Sequence, residues 1–174
     1  MTGPIEIDVW QGDIAELEVD ALIVGANESL FMTAGAAASV KRRGGSQVER
    51  AAVAQGPIAP GHAIVTGGGS LASPYVIHAV AVGHDRIPDP ARLRSAVLAA
   101  LAFAEPLQLH RIAVGLLGVE HGAFTPEAAA GALVPALHEA AAGSPLESIV
   151  ISTPHLAETR AVAAALSRQR SAAR

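Results

Sequence analysis

Apolar and polar residues alternate from Ile5 to Trp10, which is typical of a strand with one buried face. A continuous apolar run follows from Ala21 to Val24 and predicts a strand buried on both faces. Further strands are predicted over His62–Thr66, Tyr75–Val80, Ile112–Leu116 and Ser148–Ser152.

Segments of helical composition lie between these strands. They are Ala36–Arg43, Gln47–Gln55, Pro90–Ala104, Pro126–Ala142 and His155–Ser167. Asp89 and Thr125 each precede a proline, which is a common start for a helix, and Gly143 marks a helix end. The alternation predicts an α/β fold with a mixed, mostly parallel sheet and helices on both faces.

The length of 174 residues favours a single domain, which we place at residues 1–166. Residues 167–174 lose the apolar periodicity and carry three arginines, so this tail is expected to fray into solvent. The first residues have no basic start of a secretory leader, and no apolar run approaches the ~20 residues of a membrane span. We therefore expect a cytoplasmic protein without a membrane partner.

The amino-acid composition excludes several classes of protein and of site. Hydrophobic residues make up 51% of the chain and charged residues 16%, so it folds, and its net charge of −4 does not favour duplex nucleic acid as the primary partner. The absence of cysteine excludes disulfides, a thiolate nucleophile and cysteine-ligated metals. His155 and Glu158 have helical spacing but no third ligand, and we expect no metal.

The glycine-rich segment Gly67–Ala72 loosely matches a dinucleotide-binding fingerprint. Ser73 and Pro74 follow it, however, and a second strand begins at Tyr75, whereas the dinucleotide fingerprint must lead into a helix. We therefore predict a strand-to-strand turn here.

Two loops of small residues are better candidates for a binding site than this turn. They are Gly25–Ala38 and Gly118–Phe124, and each follows a predicted buried strand and leads into a helix. Free backbone N–H groups at such positions cradle phosphate. Together the loops would hold a diphosphate from two sides without a lysine or arginine.

Four segments, in this order and spacing, resemble the macrodomain family: Gln11–Ile14, Ala21–Leu30, Ala63–Leu71 and Tyr75–Ala79. The resemblance runs from about Ile5 to Ser152. It implies a three-layer α/β/α fold that binds ADP-ribose, or a terminal ADP-ribosyl group on a macromolecule. It implies no cofactor.

The resemblance also assigns residues. Asp13, beside Ile14, would accept a hydrogen bond from the adenine amine, or it caps the following turn. Asn27 would face the distal ribose, or it is a turn residue that tolerates left-handed geometry. The first phosphate loop would be Thr33, Ala34, Gly35, Ala36 and Ala37. The second would be Gly118, Val119, Glu120, His121, Gly122 and Ala123, with Phe124 against the nucleoside.

The departures from the family bear on catalysis. Val24 stands where the family has the first Asn of its N-A-A-N stretch. Ala37 stands where the hydrolases of the family carry an aspartate, and alanine cannot take a proton. Glu120 and His121 stand where small residues are expected, and they are either solvated or point inward as replacement bases. The alternative function is thus an ADP-ribosyl hydrolase, acting on modified macromolecules or on ADP-ribose 1″-phosphate, with Asn27, Glu120 and His121 as a non-standard catalytic set.

Two basic features remain open. Lys41 replaces a histidine found in many relatives, and Lys41–Arg43 is either a phosphate contact or a solvent-facing helix surface. His78, inside an apolar strand, is either a core residue or a base.

Overall fold

The computed structural model describes residues 4–174; residues 1–3, which open the segment used to judge a leader, lie outside it. The strands are β1 (Glu6–Gln11), β2 (Ala21–Gly25), β3 (Ala63–Gly67), β4 (Tyr75–Ala79), β5 (Arg111–Gly115) and β6 (Ser148–Thr153). The helices are α1 (Gly35–Gly44), α2 (Ser46–Val53), α3 (Pro90–Leu101), α4 (Pro126–Ala141) and α5 (Leu156–Ala172). A short 3-10 turn covers Ile14–Glu16.

The six strands form one sheet in the order β1-β6-β5-β2-β4-β3. All neighbours are parallel except β3, which pairs with β4 in antiparallel fashion at one edge. The predicted mixed, mostly parallel sheet is therefore confirmed. The parallel strands all end at one side of the sheet, which gathers the loops after β1, β2, β4, β5 and β6 there.

Helices cover both faces of the sheet, as the sequence predicted. In β2, Ala21 and Ile23 face one apolar cluster, while Leu22 and Val24 face another. The first cluster includes residues of α3, α4 and α5, namely Leu93, Leu133 and Val162, and the second includes Val40 of α1 and Val48 of α2. This double burial explains why β2 is apolar throughout rather than alternating.

The helix starts predicted from Asp89 and Thr125 are present. Asp89 accepts a hydrogen bond from the Ala91 N–H at 2.9 Å, and Thr125 accepts one from the Ala128 N–H at 3.2 Å. The segment from residue 167, expected to fray, is helical to Ala172. Its Arg170 donates to Asp8 Oδ1 at 3.1 Å, which ties the last turns of α5 to β1.

The glycine-rich segment after β3 forms the turn into antiparallel β4, in agreement with the sequence. His78 lies in the core of β4 and is fully buried, with Nε2 2.9 Å from Thr66 Oγ1. Burial lowers the pKa of His78 to about 4, so its imidazole is neutral at pH 7. None of the helices described in residues 4–174 combines the length and hydrophobicity that a bilayer span requires.

Candidate functional site

Three adjoining cavities cross the edge of the sheet where the parallel strands end. The Asn27 cavity, of about 270 Å³, is lined by residues that include Asn27, Ala37 and Glu120. The Asp13 cavity, of about 260 Å³, lies at the other end, beside β1 and β6. A middle cavity of about 280 Å³ shares wall residues with both, so the three form one groove.

The middle cavity lies at the first turn of α1. Ala34, Gly35 and Ala36 line it, and no side chain caps this end of α1. Gly35 has φ +56°, a left-handed conformation that favours glycine. The first backbone N–H groups of α1 lack helical partners, and the helix dipole adds partial positive charge, so this end favours an anion.

The Asp13 cavity is lined by Asp13 and Ile14, to which the resemblance assigns ligand contacts. The Asp13 carboxylate accepts from the Ala15 N–H at 2.9 Å and from the Ser39 hydroxyl at 2.6 Å. Asp13 therefore caps the 3-10 turn, which is one of its two alternatives, while also forming part of the cavity wall. Arg42 is exposed on the same wall.

The Asn27 cavity contains an acceptor without a partner. Asn27 Nδ2 donates to the Phe31 carbonyl at 3.3 Å, which fixes the orientation of the amide. Its Oδ1 is buried and accepts no hydrogen bond within residues 4–174. An unpaired buried acceptor costs about 1–3 kcal/mol, so a donor from a bound molecule would stabilise this residue.

Glu120 points into the groove and lines both the Asn27 cavity and the middle cavity. Its Oε2 accepts a hydrogen bond from the Gly118 N–H at 3.0 Å. A Cβ on Gly35 would lie 2.6 Å from Glu120 Cγ, and a Cβ on Gly25 would overlap Glu120 Oε1. The two glycines thus make the space for this side chain, and the inward alternative holds for Glu120.

Burial raises the pKa of the Glu120 carboxyl to about 6, and the charge of Glu158 acts in the same direction. Hydrogen bonds from the backbone N–H groups of Glu120 itself and of Gly118 act in the opposite direction and lower the pKa. Glu120 is therefore ionised at neutral pH, at a cost in free energy. His121 is exposed at the rim of both cavities, with φ 101°.

Some residues that were candidates for ligand contact do not line the three cavities. Phe124 is buried in the core, where its ring packs against Gly118, and it lines none of the three cavities. The predicted contact of Phe124 with a nucleoside is therefore absent from this geometry. Gly122 is exposed outside the cavity walls. Lys41 pairs with Glu49 at 2.8 Å and is not part of the groove.

Sequence reasoning missed other wall residues. His84 and Arg86, in the loop after β4, and the exposed Phe31 line the Asn27 cavity. Pro154 and His155, in the loop after β6, line the other two. The signal for both loops was available, because they follow parallel strands whose ends meet at the same edge. Within residues 4–174, no three metal-ligating side chains come together.

The chain is similar in sequence to a protein-family model and to known proteins. The family model described as Macro domain matches residues 23–133. An uncharacterized protein of Mycobacterium tuberculosis is 32% identical over 162 residues, which are 93% of this chain and 45% of that protein. The chain thus spans under half of the length of such a relative. A macro domain-containing protein of Cupriavidus necator is 35% identical over 146 residues, covering 80% of this chain and 84% of its own length.

Solved structures share the fold. The Trypanosoma brucei macrodomain in complex with ADP-ribose aligns with a TM-score of 0.84 at 19% identity, covering 92% of this chain and 69% of that one. The Oceanobacillus iheyensis macrodomain with ADP aligns with a TM-score of 0.85 at 17% identity, covering 98% and 95%.

The raised pKa of Glu120 predicts a stabilising substitution. The folded protein holds this proton more tightly than the unfolded chain, so stability falls as pH rises from the ordinary value of 4.5 to about 6. We expect Glu120→Gln to increase the free energy of unfolding by about 1–2 kcal/mol at pH 8, with the gain vanishing near pH 4. Urea unfolding at both pH values measures this, with the exposed Glu18→Gln as control. Equal or lower stability of Glu120→Gln at pH 8 would contradict the burial argument.

Proposed function

Because the chain belongs to the macrodomain family, we propose that it binds ADP-ribose, or a terminal ADP-ribosyl group on a macromolecule, in the groove at the sheet edge. The adenosine occupies the Asp13 cavity, the diphosphate the middle cavity, and the distal ribose the Asn27 cavity. This order follows the wall residues from β1 across α1 to the end of β2. The relatives of known fold that hold ADP-ribose or ADP support the same ligand class.

The observation that carries this proposal is the uncapped start of α1 at the centre of the groove. A diphosphate there accepts hydrogen bonds from backbone N–H groups that have no other partner. Ala34, Gly35 and Ala36, which line the middle cavity here, have no side chain larger than a methyl group.

The two end cavities supply polar groups that suit a nucleoside and a sugar. Asn27 Oδ1 is a buried acceptor without a donor, and ribose hydroxyls are donors. Asp13 presents a carboxylate at the cavity wall, which accepts from the exocyclic amine of adenine but not from the carbonyl oxygen of guanine. The proposal therefore includes a preference for adenine.

Binding of ADP-ribose is the direct test. We expect a dissociation constant in the micromolar range, about −8 kcal/mol, by isothermal titration calorimetry. GDP-ribose is the matched control ligand and is expected to bind more weakly. Absence of heat with either ligand, from protein shown to be folded by circular dichroism, would refute the proposal.

Substitution of Asp13 tests the adenine contact. Asp13→Ala removes a charge-assisted hydrogen bond and is expected to weaken ADP-ribose binding roughly tenfold to hundredfold. Because Asp13 also caps a turn, Asp89→Ala is the control: it removes the cap of α3 at a residue that lines none of the three cavities, and it costs about 1 kcal/mol of stability. Only Asp13→Ala is expected to change affinity. An unchanged affinity in Asp13→Ala would leave capping as its sole role.

A second function, hydrolysis of the bond at the anomeric carbon of the distal ribose, is favoured by the position of Glu120. Ala37 lines the Asn27 cavity without a titratable group, but the Glu120 carboxylate reaches the same cavity from the second loop. A carboxylate with a pKa of about 6 is a suitable general base for water near neutral pH. Water would add to the anomeric carbon, and the departing group would take a proton, with His121 at the rim as its donor.

Kinetics separate this enzyme from a binding module. If ester, N-glycosidic or phosphate-linked ADP-ribose is turned over, Glu120→Gln and His121→Ala are expected to lower kcat more than they weaken ADP-ribose binding. Glu18→Gln controls for the loss of a surface charge. Turnover unaffected by both substitutions would exclude these residues, and absence of turnover with all three substrate types would identify a pure binding module.

A further inference from the structure

Glu120 occupies space that the proposed ligand needs, so this inference rests on the proposed function. Its side chain lies between the start of α1, at Gly35, and the end of β2, at Gly25. It also accepts a hydrogen bond from the Gly118 N–H, which belongs to the second loop. The carboxylate therefore stands at the junction of the middle cavity and the Asn27 cavity, where the diphosphate of ADP-ribose would join the distal ribose.

We infer that Glu120 is a specificity-determining residue, which selects a diphosphate capped by a sugar over a diphosphate with a free terminal phosphate. The selection is electrostatic. An esterified phosphate carries about one negative charge, whereas a terminal phosphate carries close to two above pH 7, since its second pKa is about 6. A fixed carboxylate beside that position repels the second charge more strongly.

The surroundings of Glu120 do not neutralise it. The ion pairs within residues 4–174 do not include Glu120. Glu158 of α5 adds negative charge nearby, β2 contributes only the backbone of Gly25, and α1 contributes only the partial positive charge of its first turn at Gly35. His121 of the same loop, His84 and Arg86 are exposed residues of the cavity walls, where water screens their effect.

The same carboxylate favours the sugar. Glu120 Oε2 is held by Gly118, while Oε1 accepts no side-chain hydrogen bond within residues 4–174. Asn27 Oδ1 is a second open acceptor on the same cavity. A ribose supplies hydroxyl donors to both oxygens, and a terminal phosphate supplies only further acceptors at pH 8. Attraction of the sugar and repulsion of the free phosphate thus act in the same direction.

The test compares ADP-ribose with ADP by isothermal titration calorimetry at pH 8, where Glu120 is ionised. Wild-type protein is expected to prefer ADP-ribose. Glu120→Gln keeps the size of the side chain and is expected to lower the ratio of the two affinities fivefold or more, chiefly because ADP binds more tightly. Glu120→Ala removes the same charge and serves if Glu120→Gln does not fold. The matched control, Glu18→Gln, removes an exposed charge that lines none of the three cavities, and the ratio is expected to stay as in the wild type.

The outcomes distinguish this inference from the function on which it rests. If wild-type protein binds ADP-ribose but neutral variants change the ratio by less than fivefold, the selective role of Glu120 is overturned and the proposed function stands. If wild-type protein binds neither ligand, the proposed function fails, and the inference fails with it.

Discussion

The common direction of five neighbouring strands is the constraint on which the rest of this structure depends. Parallel strands need helical connections, and helices on both faces bury the inner strands, so that few polar side chains, such as Thr66 and His78, lie inside the sheet. Leu22 and Val24 face one helical layer, and Ala21 and Ile23 face the other. Polar chemistry is therefore confined to the loops beyond the carboxyl ends of the strands, where the three cavities lie.

Whether an unpaired buried polar group can contribute to binding depends on whether a bound molecule can reach it. His78 Nδ1 and Asn27 Oδ1 are both buried, and neither has a hydrogen-bond partner in the part of the chain that the structure describes. His78 lies within β4, outside the walls of the three cavities, so a molecule bound in the groove does not reach its Nδ1. Asn27 lies on a cavity wall, next to a strand end, where an incoming donor reaches it. The adjacent space, rather than the missing partner, makes Asn27 a candidate binding residue.

The features that depend on local residue patterns could be predicted from the sequence. The strands, the caps at Asp89 and Thr125, and the two loops at the sheet edge follow from periodicity and residue type, and the expected fold class is confirmed. The helical tail was missed because residues 167–172 have no apolar stripe, while Arg170 reaches Asp8 across the sequence. The inward position of Glu120 was left open because it depends on room beside Gly25 and Gly35, which lie far from it in the chain. Phe124 was placed at the ligand by resemblance, but the space beside Gly118 takes its ring into the core.

Glu120 also shows that a carboxylate can line the Asn27 cavity from an element other than α1. Ala37 of α1 and Glu120 of the second loop line the same cavity from different elements. With alanine at residue 37, this cavity still has a carboxylate on its wall, that of Glu120. The two placements are not equivalent, however, because Glu120 is held against the backbone beside the start of α1, where the diphosphate would lie. A carboxylate at that point is close enough to affect charge on the phosphate as well as hydroxyls on the sugar, so binding preference and any hydrolysis would both depend on its ionisation.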